Sequence, residues 1–542
     1  MESSQFSAAY HSHSTASLFT TSDPMIPVTH RQQKEGNFAA DFQRLKNAVL
    51  AKRFVLKEII EKRGSKLLVD YTQEYIDVNL NPPIQQRQNE FLETFEEEVQ
   101  KIFGTDIATK ARSQLAQHYF VSTADHMGPV CHPCFINASL VTAAACIARN
   151  DKEFPFLIVL PCASISFDNH TFPRGLQFHS AIDPTNPPLH SVGFFGRSVR
   201  PLPVFGFRGY GKEDMDRATK QLQESVREKK ILPQEMESIT ALFQEVYLQP
   251  EIMGSTTFGE QMAKANMQLW RRYFRHHPGT MPDLLYIEQE QLVSKLICKY
   301  HLDADTTISH ILFDRECDEL IFRYFEGIQG AFSRDGQWGT YLFWGLPPGS
   351  KYRMQLWKQG NALVSADGSY RLELTPDNLR RALESREILP STLMDFIVLS
   401  FYYGLKCLGG FNQVNYLTLM KNAYIRMQLE RGKYRSIEVC ARAQTKEICD
   451  GFSVAFLGYG EKMTVATGLD LLLHGTKDTL PTIQEVCRSI NVEEALNPLM
   501  SEIYRTSYPE QEWDPTLSGI TAEEISCFTG LDTKIRACVR LT

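Results

Sequence analysis

Asp125-His126-Met127-Gly128-Pro129-Val130-Cys131-His132-Pro133-Cys134 places five side chains able to bind a metal or move a proton within ten residues. The Gly-Pro step inside it reads as a turn, so the segment is a loop. A divalent metal needs three or four N, O or S donors converging at about 2.0–2.3 Å, and a turn brings two of them together at little cost. The others must come from elsewhere in the chain. Asp125, His126, His132 and His179 are the candidate ligands, and a divalent metal ion is the cofactor that such a set would take. It would polarise a carbonyl or activate a water. Without a metal, Asp125, His126, His132 and His170 are the candidate catalytic acids and bases.

The cluster stands out by distribution. Six of the 14 His (118, 126, 132, 170, 179 and 190) and four of the 12 Cys (131, 134, 146 and 162) fall between residues 118 and 190. Chance would put about two His there. The spacing is neither His-Glu-x-x-His nor a paired Cys-x-x-Cys zinc pattern. The plainer alternative has Asp125 and His126 hydrogen-bonding within a tight turn while the cysteines pack as small hydrophobes. Cys131-His-Pro-Cys134 also has the spacing of a thiol redox pair, which would require a low-pKa Cys131 at a helix start.

Further polar loops could hold a substrate. Asn169-His170-Thr171-Phe172-Pro173-Arg174-Gly175 offers Asn169 as a contact and Arg174 as a grip for an anion. Gly206-Phe-Arg208-Gly-Tyr-Gly211-Lys212 fits the first seven positions of a phosphate-binding loop, and Asp314, after an expected strand at 311–313, is the candidate acidic partner. Glu213 stands where a Ser or Thr should hold Mg²⁺. A Gly-rich turn is therefore the leading reading, with Arg208 and Lys212 as anion contacts. Gly409-Gly410-Phe411-Asn412-Gln413 follows an apolar run, and Asn412 and Gln413 are candidate ligand contacts. Thr467-Gly468-Leu469-Asp470 is a weaker candidate. No Gly-x-Ser-x-Gly elbow or dinucleotide fingerprint is present, which disfavours a serine hydrolase or a Rossmann dehydrogenase.

Several elements must position these groups. Phe42, Leu45, Val49, Leu56 and Ile59 mark an amphipathic helix ending at Gly64, and Phe91, Phe95, Val99 and Ile102 mark a second beyond Asn81-Pro82-Pro83. Tyr119–Val121 reads as a short strand, Phe135–Ala148 as a buried helix and Phe156–Leu160 as a central buried strand. Loops at the ends of such strands are where sites in α/β sheets collect. Helices follow from about 213, with a stripe from Leu222 to Val246. Short strands are expected at 284–287 and 452–457, with an antiparallel patch over 340–344, 352–356 and 370–374. Leu393–Phe411, interrupted by Asp395 and Lys406, reads as a buried core helix rather than a membrane span.

The expected class is α+β or mixed α/β, a helix-rich multi-domain chain with a small central sheet. The divisions are a Ser/Thr-rich tail at 1–35, an α/β domain with the His/Cys loops at 36–212, a middle α+β region at 213–375 and a mainly helical region at 376–542. Hydrophobic residues make up 43% of the 542 and charged residues 22%, which excludes a disordered or collagen-like chain. The net charge of −7 offers no basic field for nucleic acid. The first 35 residues hold 11 Ser or Thr and no apolar core of a secretory signal. The chain therefore reads as cytoplasmic, with reduced thiols and no membrane partner; secretion into a host cytosol is the other placement. The functional expectation is a soluble enzyme, a hydrolase or transferase with the metal as its expected cofactor, acting on a small polar or anionic substrate between loops 122–134 and 169–179. The alternatives are a non-catalytic interaction or effector protein and a thiol redox protein using Cys131 and Cys134.

Overall fold

A computed structural model describes the backbone of residues 28–76, 85–149, 154–350 and 352–541, with side chains from residue 37 onward. Most of the Ser/Thr-rich tail and the Asn81-Pro82-Pro83 break lie outside the described residues. A helix already runs from Val28 to Lys52, starting inside the stretch expected as tail.

The central element is a five-stranded parallel sheet. Its strands are β1 (Phe120–Ser122), β2 (Phe156–Val159), β3 (Asp283–Tyr286), β4 (Lys406–Gly410) and β5 (Ile448–Asp450). Their spatial order is β5-β4-β1-β2-β3. Phe120 faces Lys406, Phe156 faces Asp283, and Gly409 faces Ile448, all in parallel register. Parallel neighbours need long crossovers, and those crossovers cover both faces.

The side chains alternate accordingly. Leu157, Val159, Leu284, Tyr286 and Leu408 enter one apolar core. Phe156, Ile158, Leu285, Val121 and Cys407 enter the other, on the opposite face. This two-residue period with both sides apolar is why FLIVL reads as a continuous hydrophobic run. The first core also takes the helix Pro133–Ala148, in which Phe135 through Cys146 are all buried. The second takes the helices Gln85–Phe103 and Gln289–Tyr300.

An antiparallel sheet forms beside this body from Phe343–Gly345, Met354–Gln359, Ala362–Ser365, Arg371–Glu373 and Ile388–Pro390. It is the expected antiparallel patch, extended by two strands. The fold is thus mixed α and β, with a doubly covered parallel sheet at its centre.

Four expectations need correction. The helix through Phe42 to Ile59 is two helices, broken at Arg53 between Lys52 and Phe54. Arg53 is buried, and its guanidinium reaches Ser507 Oγ at 2.8 Å and Gln329 Oε1 at 3.2 Å, which the break permits. Ile311–Phe313 belongs to the helix Thr307–Phe313 rather than to a strand. Residues 452–457 span a loop that leads into the strand Phe456–Tyr459. Leu393–Phe411 is not one helix. It holds a short helix, a π-turn and then β4. The Lys406 that interrupted the apolar run is buried at the start of β4 and donates to the Tyr75 carbonyl at 2.7 Å. Among the described residues, no helix is long and apolar enough to cross a membrane.

Candidate functional site

From β1 the chain proceeds outward to β2 and β3 on one side, and later to β4 and β5 on the other. The crevice between the carboxyl ends of β1 and β4 is therefore a topological switch point, where open α/β sheets bind ligands. A cavity of about 260 Å³ opens there. Thr123 and His126 enter it from the loop after β1, and Phe411, Asn412 and Gln413 from the segment after β4. Asp450 and Phe452 come from the end of β5, and Gln289 follows β3. Gln413 Nε2 donates to Thr123 Oγ1 at 2.6 Å, joining the two central strand ends directly.

The loop after β1 and the loop after β2 meet face to face. His126 Nδ1 and Thr171 Oγ1 are 3.2 Å apart. The Thr171 hydroxyl donates to Asn169 Oδ1 at 2.9 Å, and the Thr171 amide reaches the same oxygen at 3.1 Å. With its proton so engaged, Thr171 Oγ1 accepts from His126 Nδ1–H, which leaves the Nε2 lone pair as the basic position of the ring. The His170 ring centroid lies 6.3 Å from that of His126 and 6.0 Å from that of His132. Gly128 packs against Pro173 so closely that a Cβ would fall 2.8 Å from the Pro173 Cα.

His132 caps the helix Pro133–Ala148, its Nδ1 accepting from the Cys134 amide at 3.3 Å. That fixes the opposite tautomer, with the proton on Nε2. Pro133 at the first helical position begins the helix without an amide to satisfy. His126 and His170 line the cavity.

Burial governs the charges. It holds His126 down at about 4 and His132 at about 3, each reinforced by His170, and it lowers His170 as well. All three rings are neutral at physiological pH. Burial raises Asp125 to about 8, with the Asp450 charge adding to the rise against the Tyr286 hydrogen bond. Tyr286 donates to Asp125 Oδ2, while Asp125 Oδ1 is buried with no partner. In the cavity wall, burial raises Asp450 to about 6 and Glu502 to about 7. The site thus joins neutral imidazoles to carboxyls that titrate near neutrality, the combination that acid–base chemistry uses.

Most of the sequence-predicted residues converge here. His126, His170, Asn412 and Gln413 line the cavity, His132 touches His170, Asn169 positions Thr171, and Asp125 sits behind His126 against Tyr286. The others do not join them. His179 pairs with Asp470, Nδ1 to Oδ2 at 2.7 Å, at the start of the helix Gly468–His474. Arg174 does not line the cavity but lies over the Phe172 ring at 4.9 Å. Arg208 is paired with Asp214 at 2.7 Å, and the exposed Lys212 lies 3.0 Å from Asp216, both away from the cavity.

Nor does a strand of the parallel sheet lead into the Gly206–Lys212 segment. Val204 and Phe205 bond to Ile165 and Ala163 rather than ending a strand of the parallel sheet. Asp314 is engaged by Arg431 at 3.0 Å and by His310. Among the described residues, no group of three or more His, Cys, Asp or Glu is arranged to hold a metal ion. His179's commitment to Asp470 removes one member of the expected ligand set. Burial pushes the Cys131 thiol up to about 12, opposite to what a redox nucleophile needs.

Asp450, Glu502, Gln289 and Thr171 went unnoticed in the sequence. Asp450-Gly451 after a short apolar stretch is the one local signal, a strand end with a turn. Glu502 lies on the helix Met500–Ser507 with nothing to distinguish it from a solvated charge. Compared with known proteins, the chain matches no family model and no curated relative.

Proposed function

We propose that the chain is an enzyme, of hydrolase or transferase type, that moves protons on a small polar molecule held at the carboxyl ends of β1 and β4. The observation that carries this reading is the convergence of three neutral histidines from two separate loops, two of them facing one cavity at the switch point of a parallel sheet. His126 Nε2 is the proton acceptor, held in orientation by Thr171 and Asn169. His170 stands beside it on the cavity wall, with the His132 ring packed edge-on against His170. The volume, just below the roughly 300–1,000 Å³ of drug-sized pockets, suits a small substrate.

The test is turnover. Full-length protein is incubated with pooled small polar metabolites, and losses and gains are followed by mass spectrometry. His126→Ala and His170→Ala should each lower the rate by about 100-fold, the range of a lost general acid or base, with little change in melting temperature. Absence of any turnover, or turnover unaffected in both variants, would move the chain to the class of interaction proteins.

A further inference from the structure

Among the described residues, the cavity wall contains Asp450 and Glu502 and no Lys or Arg. Its histidines are neutral, so they supply no positive charge either. The rings of Phe135, Phe396, Phe411, Tyr416 and Phe452 form much of the remaining wall. Carboxylates beside aromatic faces are the chemistry that receives organic cations.

An independent observation comes from the amides. Gln289 is 2% exposed and lines the cavity. Its Nε2 is committed to Asp395 Oδ2 at 2.9 Å, which leaves Oε1 buried with no partner. Asn412 Oδ1 is likewise buried and unpartnered in the same wall. Both are acceptors waiting for a donor, and an unmade buried hydrogen bond is costly. A ligand with N–H groups supplies what they lack once either amide turns toward the cavity.

The competing ligand is an anion at the start of the helix Phe411–Glu430, whose N-cap Gly410 offers no side-chain cap. Asp450 occupies that position. A Cβ on Gly410 would stand 3.1 Å from Asp450 Oδ2. Its side chain stands in the space that an anion at this helix start would need.

We propose that the substrate is a small organic amine whose ammonium group is received by Asp450 and Glu502, beside the unpartnered amide oxygens of Gln289 and Asn412. This rests on the cavity being the enzyme's site and names the class of molecule that fills it. Burial makes both carboxyls harder to ionise, and a cation beside them favours their charged form. The other titratable groups facing the cavity, among the described residues, are His126, His170, Cys134, Cys162 and Tyr416, and Arg505 lies beside Glu502.

The experiment is calorimetry on the full-length chain near pH 6. Butylamine, 1,4-diaminobutane and tetramethylammonium are the cationic probes, and butyrate and inorganic phosphate the anionic ones. At least one amine should bind, with neither anion doing so. Asp450→Asn and Glu502→Gln should each weaken it by about tenfold or more. His170→Ala should retain amine binding while losing turnover, which separates this proposal from the enzymatic reading. Should either carboxyl variant fold poorly, the wild type still decides. Titrations in two buffers of different ionisation enthalpy should show net proton release on amine binding. Binding of the anions instead, no binding of any amine, amine binding without proton release, or affinity unchanged in both carboxyl variants overturns the proposal.

Discussion

His126 donates from Nδ1 to the hydroxyl of Thr171 across 3.2 Å, tying the loop after β1 to the loop after β2. The bond sets the imidazole tautomer, because Thr171 has already given its own proton to Asn169. Thr171→Val should release the ring. Imidazole ¹⁵N spectra should show His126 shift from a single tautomer to a mixture, and turnover should fall by about tenfold. Thr171→Ser should preserve both. An unaltered spectrum in the valine variant would show that the hydroxyl does not orient the ring.

Gly128 is the contact point between the same two loops. Alanine there would place a methyl 2.8 Å from the Pro173 Cα and 2.9 Å from its carbonyl oxygen, both backbone atoms that yield only if the loop moves. Gly128→Ala should cost about 1–3 kcal/mol in urea unfolding, the usual toll of overpacking. It should also depress turnover beyond what that loss of stability explains. A variant as stable and active as the wild type would show that the loops tolerate separation.

Asp125 makes stability fall as pH rises from acid toward neutrality. Burial raises its carboxyl from 3.8 to about 8 in the folded chain, so the folded state holds this proton more tightly than the unfolded state. Its contribution is fully present below about pH 4 and is lost as pH rises through about 8. Asp125→Asn keeps an acceptor for Tyr286 and removes the titration. Urea midpoints measured across this window should fall with pH in the wild type more steeply than in the variant. Parallel slopes would refute the assignment.

The histidines act on the acid side. His126 and His132 have folded values of about 4 and about 3 against an ordinary 6.5. Their contribution is present above about 6.5 and is lost as pH falls through 4 to 3. His132→Gln, still able to cap the helix with its side-chain oxygen, should flatten part of the acid limb in a guanidinium unfolding series. A curve of unchanged shape would count against a buried neutral His132.

His179 and Asp470 form a structural joint. The Asp470 carboxylate takes His179 Nδ1 at 2.7 Å, the His179 amide at 2.8 Å and the Thr467 amide at 2.8 Å. Asp470→Ala leaves three buried donors without an acceptor, and a loss of about 3–5 kcal/mol is expected in equilibrium unfolding. Amine binding by the fraction that remains folded should be unchanged. A variant with full stability and altered binding would place this pair in the site instead.

The legibility of the sequence followed locality. Phe156–Leu160 announces a central strand because both its faces are buried, and the crowding of His126, His132 and His170 announces the site because two short loops carry it. Leu393–Phe411 misleads for a physical reason. Its hydrophobic run is long enough for a helix, yet Gly404, with a φ of +70°, turns the chain and sends Lys406–Gly410 between β1 and β5. That strand is chosen by its neighbours, which come from 120 and 448. His179 shares the density of the cluster but sits on a hairpin strand that points it at Asp470, nearly 300 residues onward, and local spacing carries no sign of that. Asp450 and Glu502 were illegible for the same reason, since burial alone makes them unusual and burial is a property of the completed fold.

The helix Met500–Ser507 brings Glu502 and Thr506 to a cavity whose first lining residue is Thr123. A ribosome must therefore release the chain beyond residue 506 before that wall can close. Until then the parallel sheet waits with its strand ends open, and its β4 and β5 arrive late as well. Such long separations make assembly slow and leave apolar edges uncovered in the meantime. The segment beyond residue 500 thus brings Glu502 to the cavity and, with Ile503, Tyr504 and Ile525, closes the core beneath it.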